Sequence, residues 1–288
     1  MGLSTTLAIY DMQENILENL KKGFITCTIF CDLSKAFDAI DHDVLLWKLN
    51  FFFGIRALPL KLLASFLQGR QQYTVIDGCT SATLNITKGV PQGSSLGSLL
   101  FALYRNDLPS TTKLTPTLFA DDTVLSISGS NSTELQSIVK YRAKKVNEWI
   151  HFNKLSLNYS KTLYMIVSRK NNQLSDFNVK INDKTITRTT SVKYLGVFVD
   201  DKLTWSNHIA YLENKLSHSV GLFYRIRQYL SDSALKSLYF SFVYSHLQFA
   251  IGAWGGVGII TLNQLNVLHS KIIRAMAYSS FRTKITPL

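Results

Sequence analysis

Two adjacent acids, Asp121 and Asp122, stand between apolar, β-prone neighbours in the run TPTLFADDTVLSIS. Aspartate is disfavoured in strands and like charges repel, so such a pair is a local conflict of the kind that function tolerates. At the tip of a hairpin both carboxylates would clear the core while rigid strands held them. A third acid, Asp32, closes another β-like run, FITCTIFCDL. If the two strands are neighbours, Asp32 and Asp121 converge on one site whose ligands are all oxygen. Such a set suits Mg²⁺, which keeps some waters and takes its remaining ligands from substrate phosphates. Two such ions about 3.5–4 Å apart clamp the attacking and leaving oxygens of an in-line phosphoryl displacement. Taken alone, an Asp-Asp pair is more often a solvated turn.

The elements that must position these acids follow from periodicity. Ile9, Met12, Ile16, Leu17 and Leu20 mark an opening helix, and Asp41 can cap another that carries Val44, Leu45, Leu49 and Phe52. A further helix is expected between Pro59 and Gly69, and 71–77 with 82–87 reads as a hairpin turning at Asp77 and Gly78. Behind the tight loop GVPQGSS, the spacing of Leu96, Leu99, Leu100 and Leu103 predicts one buried helix face. Asn131 and Glu134 form a capping pattern that opens a long amphipathic helix with Leu135, Ile138, Val139, Val146, Trp149 and Ile150 inside. Short strands are expected at 162–168, 178–182 and 191–199, and helical periods from Trp205 onward, broken near Ser231 and across 252–258. A mixed α/β body to about residue 200 and an all-helical remainder is the natural division.

Composition narrows the partners. Lys and Arg outnumber Asp and Glu by 31 to 19, a net +12 that favours a polyanion, nucleic acid before membrane. Cys27, Cys31 and Cys79 have neither a disulfide framework nor zinc-site spacing, and the first two fit buried thiols in a reducing compartment. The longest apolar stretch, 249–260, is too short and too rich in Gly to span a bilayer. With no cleavable signal at the amino terminus, the chain is expected to be soluble and intracellular, cytoplasmic with nuclear action if mobile.

Three motifs then stand in order: Asp32-Leu-Ser-Lys-Ala-Phe-Asp38, Gly89-Val-Pro-Gln-Gly-Ser94 and Phe119-Ala-Asp-Asp122. Asn158-Tyr-Ser-Lys161-Thr162 and Lys193-Tyr-Leu-Gly196-Val197 follow. In order and wording the set resembles the A, B, C, D and primer-grip motifs of a reverse transcriptase of the non-LTR (LINE) class, near jockey-like elements. The resemblance implies an α+β fold: a right-hand polymerase palm, an antiparallel sheet with flanking helices, over 1–200 with a residual fingers segment. A helical thumb-like region would follow over 201–288. It also implies RNA-directed DNA polymerase activity, with an RNA template, a DNA primer and deoxynucleotides as partners, two Mg²⁺ ions (Mn²⁺ as a substitute) and no membrane.

Roles carry over residue by residue as what the resemblance implies. Asp32 and Asp121 would ligate metal, with Leu33 lending its backbone carbonyl and Asp122 the second acid of the hairpin. Phe37 would be the steric gate against a ribose 2′-hydroxyl, and an ordinary core Phe otherwise. Gln92 and Gly93 would touch the incoming nucleotide and templating pair. Lys161 would neutralise or protonate the leaving pyrophosphate, where a solvated surface Lys is nearly as good a reading. Leu195 and Gly196 would meet the primer, although a strand bulge explains the Gly equally well.

Two departures stand out. Ser98 replaces a common Pro, and Arg105 replaces an apolar residue, so that it must snorkel out or pair with Asp107. The chain begins shortly before Asp32, so most of the fingers region and any endonuclease are expected to be missing, as in a truncated copy. The alternatives to a working polymerase are a catalytically silent nucleic-acid-binding remnant of the same fold, or an unstable relic.

Overall fold

The computed structural model describes residues 4–112, 116–169 and 177–279. Two compact units emerge: a sheet unit, Asn15–Thr189, and a helical unit that joins Met1–Glu14 to Thr190–Leu288. Helix α1 (Thr5–Lys21) runs through the boundary.

The sheet unit continues with β1 (Ile25–Cys31), α2 (His42–Phe51), α3 (Ala57–Leu67) and the short strands β2 (Gln71–Gln72), β3 (Val75–Ile76), β4 (Cys79–Thr80) and β5 (Leu84–Asn85). Next come α4 (Ser95–Arg105), α5 (Leu108–Thr112), β6 (Pro116–Phe119), β7 (Asp122–Gly129) and α6 (Ser132–Phe152). Four strands close it: β8 (Leu163–Val167), β9 (Lys180–Ile181), β10 (Lys184–Thr185) and β11 (Thr187–Arg188). Five of the strands form one sheet in the order β11-β8-β1-β7-β6, antiparallel except for the β8–β11 pair. Strand β1 is central and buried on both faces from Thr26 to Cys31, with Thr26 and Thr28 the polar residues it takes inside. Its full register against β7, from Ile25↔Gly129 to Cys31↔Thr123, makes this pair the rigid spine.

Helix α6 covers the sheet with Leu135, Val139, Val146, Trp149 and Ile150, each buried as the period requires. Asn131 caps it by accepting from the Glu134 amide at 2.9 Å, while Glu134 reaches back to the Ser130 amide rather than to Asn131. Asp41 caps α2 through the Val44 amide at 3.1 Å. The expected hairpin at 71–87 turns at Asp77 (φ 49°) and Gly78 (φ +79°), with Ile76 paired to Cys79.

On α4 the buried face differs from the one expected. Gly97, Leu100, Phe101, Tyr104 and Arg105 point inward, whereas Leu96 and Leu99 are exposed. An aromatic ring buries more apolar area than a leucine, and the rotation that fully buries Phe101 and Tyr104 wins. Below them a buried ion pair ties three helices together. Lys48 Nζ of α2 donates to Asp107 Oδ1 at 2.7 Å and to the Tyr104 carbonyl of α4 at 2.5 Å, and Trp149 Nε1 of α6 donates to the same carboxylate at 3.1 Å. Burial lowers the Lys48 pKa against the pull of Asp107.

In the helical unit, β12 (Ser191–Tyr194) and β13 (Val197–Asp200) form a hairpin where one strand was expected. Leu195 (φ 44°) and Gly196 (φ +94°) are its two turn residues, the pair of positive φ values that a tight hairpin needs. Helices α7 (Ser206–Ile226), α8 (Asp232–Tyr239), α9 (Ser245–Gln248), α10 (Ile251–Trp254) and α11 (Ile259–Met276) follow, α8 passing into α9 through a π-helical turn. Ile209, Leu212, Leu216 and Phe223 of α7 are buried, as are Leu265, Leu268 and Ile272 of α11, which packs along it. Among the described residues no helix is long and apolar enough to cross a membrane.

Candidate active site

The acids meet at one end of the sheet. Strands β6 and β7 pair down to Phe119↔Asp122, which leaves Ala120 and Asp121 as a two-residue turn. Ala120 holds φ 44°, a left-handed conformation that costs an L-residue roughly 1–2 kcal/mol. Asp32 directly follows Cys31, whose partner is Thr123, so the register carried one step further sets Asp32 level with Asp122. Asp121 and Asp122 are exposed and Asp32 is half-buried. Asp122 keeps a side open to water, yet crowding at the sheet end, reinforced by the charges of Asp121 and Asp32, raises its carboxyl above the usual range. Arg105 opposes that shift.

The D-like segment grips Asp32 by its backbone. Asn158 donates its amide to the Asp32 carbonyl at 2.8 Å, and the Thr162 hydroxyl accepts from the Asp32 amide at 3.3 Å. Ser34 donates to the Ser156 carbonyl at 2.8 Å, which brackets the antiparallel Leu33↔Leu157 bridge. With the flanking residues making the ladder bonds, the amide and carbonyl of Leu33 point away from that strand. The Leu33 side chain is buried, and Lys161 is exposed in the turn that supplies Thr162.

The B-like loop lies on the A-like loop. Gln92 Nε2 donates to Asp38 Oδ1 at 3.0 Å, Val90 donates to the Phe37 carbonyl at 3.0 Å, and Gly89 donates to the Ile40 carbonyl at 2.7 Å. His42 Nε2 stands 2.7 Å from the Gly89 carbonyl. A Cβ on Gly89 would lie 2.9 Å from the Asp38 backbone, and one on Gly97 would lie 2.6 Å from the Pro91 carbonyl. Gly93 takes φ +82° with nothing around it, leaving its approach open. Phe37 is half-buried, its ring 4.6 Å from that of Phe101.

The structure thus gathers Asp32, Leu33, Phe37, Gln92, Gly93, Asp121, Asp122 and Lys161 onto connected loops of one unit, while Leu195 and Gly196 belong to the helical unit. The hairpin turn, and the approach of Phe249 to within 3.2 Å of a Cβ on Gly196, account for that glycine without a bulge. Sequence reasoning missed Asp38, Gly89, Gly97 and Thr162 as partners of the site. A glycine just ahead of Val-Pro and a second acid closing the A-like motif were the available signals. Arg105 neither snorkels nor pairs with Asp107: it is 5% exposed, and Lys48 holds Asp107.

A divalent cation fits the chemistry of this donor set, which is oxygen-only and carries clustered negative charge that a cation would relieve. Among the described residues no three His, Cys, Asp or Glu side chains stand close enough to hold an ion unaided. A shell shared between two acids, a carbonyl and substrate phosphates is compatible with that.

The family model for reverse transcriptase (RNA-dependent DNA polymerase) matches residues 3–199. The RNA-directed DNA polymerase from mobile element jockey of Drosophila funebris is 28% identical over 273 residues, 91% of this chain and 29% of that protein. The probable RNA-directed DNA polymerase from transposon X-element of Drosophila melanogaster is 25% identical over 298 residues, all of this chain and 32% of that protein. The chain therefore spans less than a third of the length of these relatives. Among solved structures, telomerase from Candida albicans in complex with a fragment of telomeric RNA is similar in fold, with a TM-score of 0.50 at 15% identity over 98% of this chain and 53% of that one.

Proposed function

This chain belongs to the reverse transcriptase family, and from that premise we propose that it extends a DNA primer on an RNA template. The observation that carries the reading is the convergence of Asp32, from the end of β1, with Asp121 and Asp122 at the β6–β7 turn. In the reaction the primer 3′-hydroxyl attacks the α-phosphorus of a deoxynucleoside triphosphate, a new phosphodiester bond forms and pyrophosphate leaves.

Asp32, Asp121 and the Leu33 carbonyl would hold Mg²⁺, or Mn²⁺ in its place. Two bound ions would activate the attacking oxygen and neutralise charge on the leaving one. Asp122 shapes the field at the primer end. Phe37, propped by Phe101, presents a flat ring where a ribose 2′-hydroxyl would sit, which selects deoxynucleotides. Gln92, oriented by Asp38, and the open backbone at Gly93 face the nucleotide and its templating base. Lys161 stands exposed for the pyrophosphate charge. Leu195 and Gly196 form the turn that meets the primer.

Primer extension with purified protein, an RNA template annealed to a DNA primer, deoxynucleotides and Mg²⁺ tests this reading. Extension that disappears in Asp121→Asn supports it. Salt-sensitive duplex binding that is unchanged in Asp121→Asn, with no extension from the parent chain, would replace it with a silent nucleic-acid-binding remnant.

A further inference from the structure

Arg105 is a cation where packing does not call for one. It ends α4 on the buried face, 5% exposed, beside the fully buried Tyr104. Its Nη1 lies 3.4 Å from the Asp122 carbonyl oxygen and 3.4 Å from Thr123 Oγ1, at the first two residues of β7. The guanidinium carbon sits 5.3 Å from the ring centroid of Phe101, one turn back on α4. Phe101, 1% exposed, in turn packs its ring 4.6 Å from that of Phe37. A continuous line of contacts therefore runs from the Asp121–Asp122 turn through Arg105 and Phe101 to the loop that carries Phe37.

Burying a guanidinium carries a desolvation cost that its bonds must offset, and an apolar side chain would fill the same volume without that cost. What the apolar residue could not do is bond the start of β7 and clamp an aromatic face with one planar group. We propose that Arg105 is a positioning residue that ties the Asp121–Asp122 turn to the Phe37 loop through Phe101, so that the metal-holding acids and the sugar gate keep one spacing. The functional half of this inference rests on the polymerase reading; the mechanical half does not.

The test compares the parent chain with Arg105→Leu and Arg105→Lys by two independent measurements. Amide hydrogen exchange is followed over 116–129, 34–41 and, as an internal reference, β8. Incorporation of deoxy- against ribonucleotides is followed in primer extension. In Arg105→Leu, exchange should rise about tenfold at the 119–123 tip and at 34–41 while β8 is unchanged. The preference for deoxynucleotides should fall by about fivefold. Arg105→Lys keeps the charge but loses the planar group over Phe101, and should recover part of both. Unchanged exchange at the tip and loop, or an equal rise at β8, overturns the tie. If Arg105→Leu does not fold, Arg105→Lys decides alone, because losing the planar contact with the Phe101 ring must still loosen the tip and the 34–41 loop selectively. A parent chain that never extends a primer sinks the polymerase reading but leaves the exchange result to judge the tie.

Discussion

The chain holds two Asp-Asp pairs at strand ends, and the structure treats them in opposite ways. Asp200, the last residue of β13, is buried and spends its carboxylate on the chain: Oδ1 accepts from the amides of Lys202 at 3.1 Å and Thr204 at 2.9 Å, and Oδ2 from the amide of Trp205 at 2.6 Å. Those bonds shape the entry to α7, where Trp205 holds φ 59°. Asp121 and Asp122, at the start of β7, are exposed, and among the described residues no hydrogen bond reaches their carboxyl oxygens. The same dipeptide is a structural clasp in one place, while in the other both carboxylates stay without a hydrogen bond among the described residues. An acid whose lone pairs are filled by backbone amides has nothing left for a substrate; one that is crowded by like charge and left unbonded is poised for a cation.

Exchanging one oxygen for nitrogen should divide the pairs most sharply. Asp121→Asn is expected to slow primer extension by at least about a thousandfold, equivalent to about 4 kcal/mol in the barrier, while the urea midpoint hardly moves. Asp200→Ala should do the reverse: about 3 kcal/mol of stability lost in urea unfolding, since several bonds to a charged acceptor vanish together. Equal losses of stability in the two variants would erase the distinction.

Glycine placement extends the comparison to the two tight turns. At Gly196 a methyl group meets both φ +94° and the Phe249 ring at 3.2 Å, so Gly196→Ala should destabilise by about 1–2 kcal/mol. Acid provides another separation. Burial lowers the pKa of His208, in the helical unit, to about 4 from 6.5. The unfolded chain then takes up a proton first, so this contribution is complete above about pH 6.5 and is lost as pH falls toward about 4. Thermal melts should show the wild type losing several degrees between pH 7 and pH 5, a slope that His208→Leu flattens. The smallest effect is expected at Ala120: Ala120→Gly relieves the φ of 44° and should stabilise by about 0.5–1 kcal/mol. No gain there would show that the acidic turn is held without strain.

Much of this was legible in the residues. The helix caps Asp41 and Asn131, the face of α6 and the hairpin that presents Asp121 all follow from local rules, because each depends on neighbours within a few positions. The inward face of α4 did not: four leucines outvote two aromatics in a periodicity count, although burying Phe101 and Tyr104 removes more apolar area. The strand expected over 191–199 proved to be a hairpin because Leu-Gly is an uncommon spelling of a turn that usually shows Asn-Gly.

The sequence by itself determined which acids could carry the chemistry and which family motifs surround them, since these depend on residue type and order along the chain. Only the tertiary structure decided that β1 lies beside β7 and so brings Asp32 level with Asp122. It alone showed that Asp38 orients Gln92, that Lys48 claims Asp107, and that Arg105 turns inward to the β6–β7 hairpin instead. The reason is physical: strand pairing and the partner of a buried charge are chosen by competition among groups far apart in the chain, and that competition is settled only when the core closes.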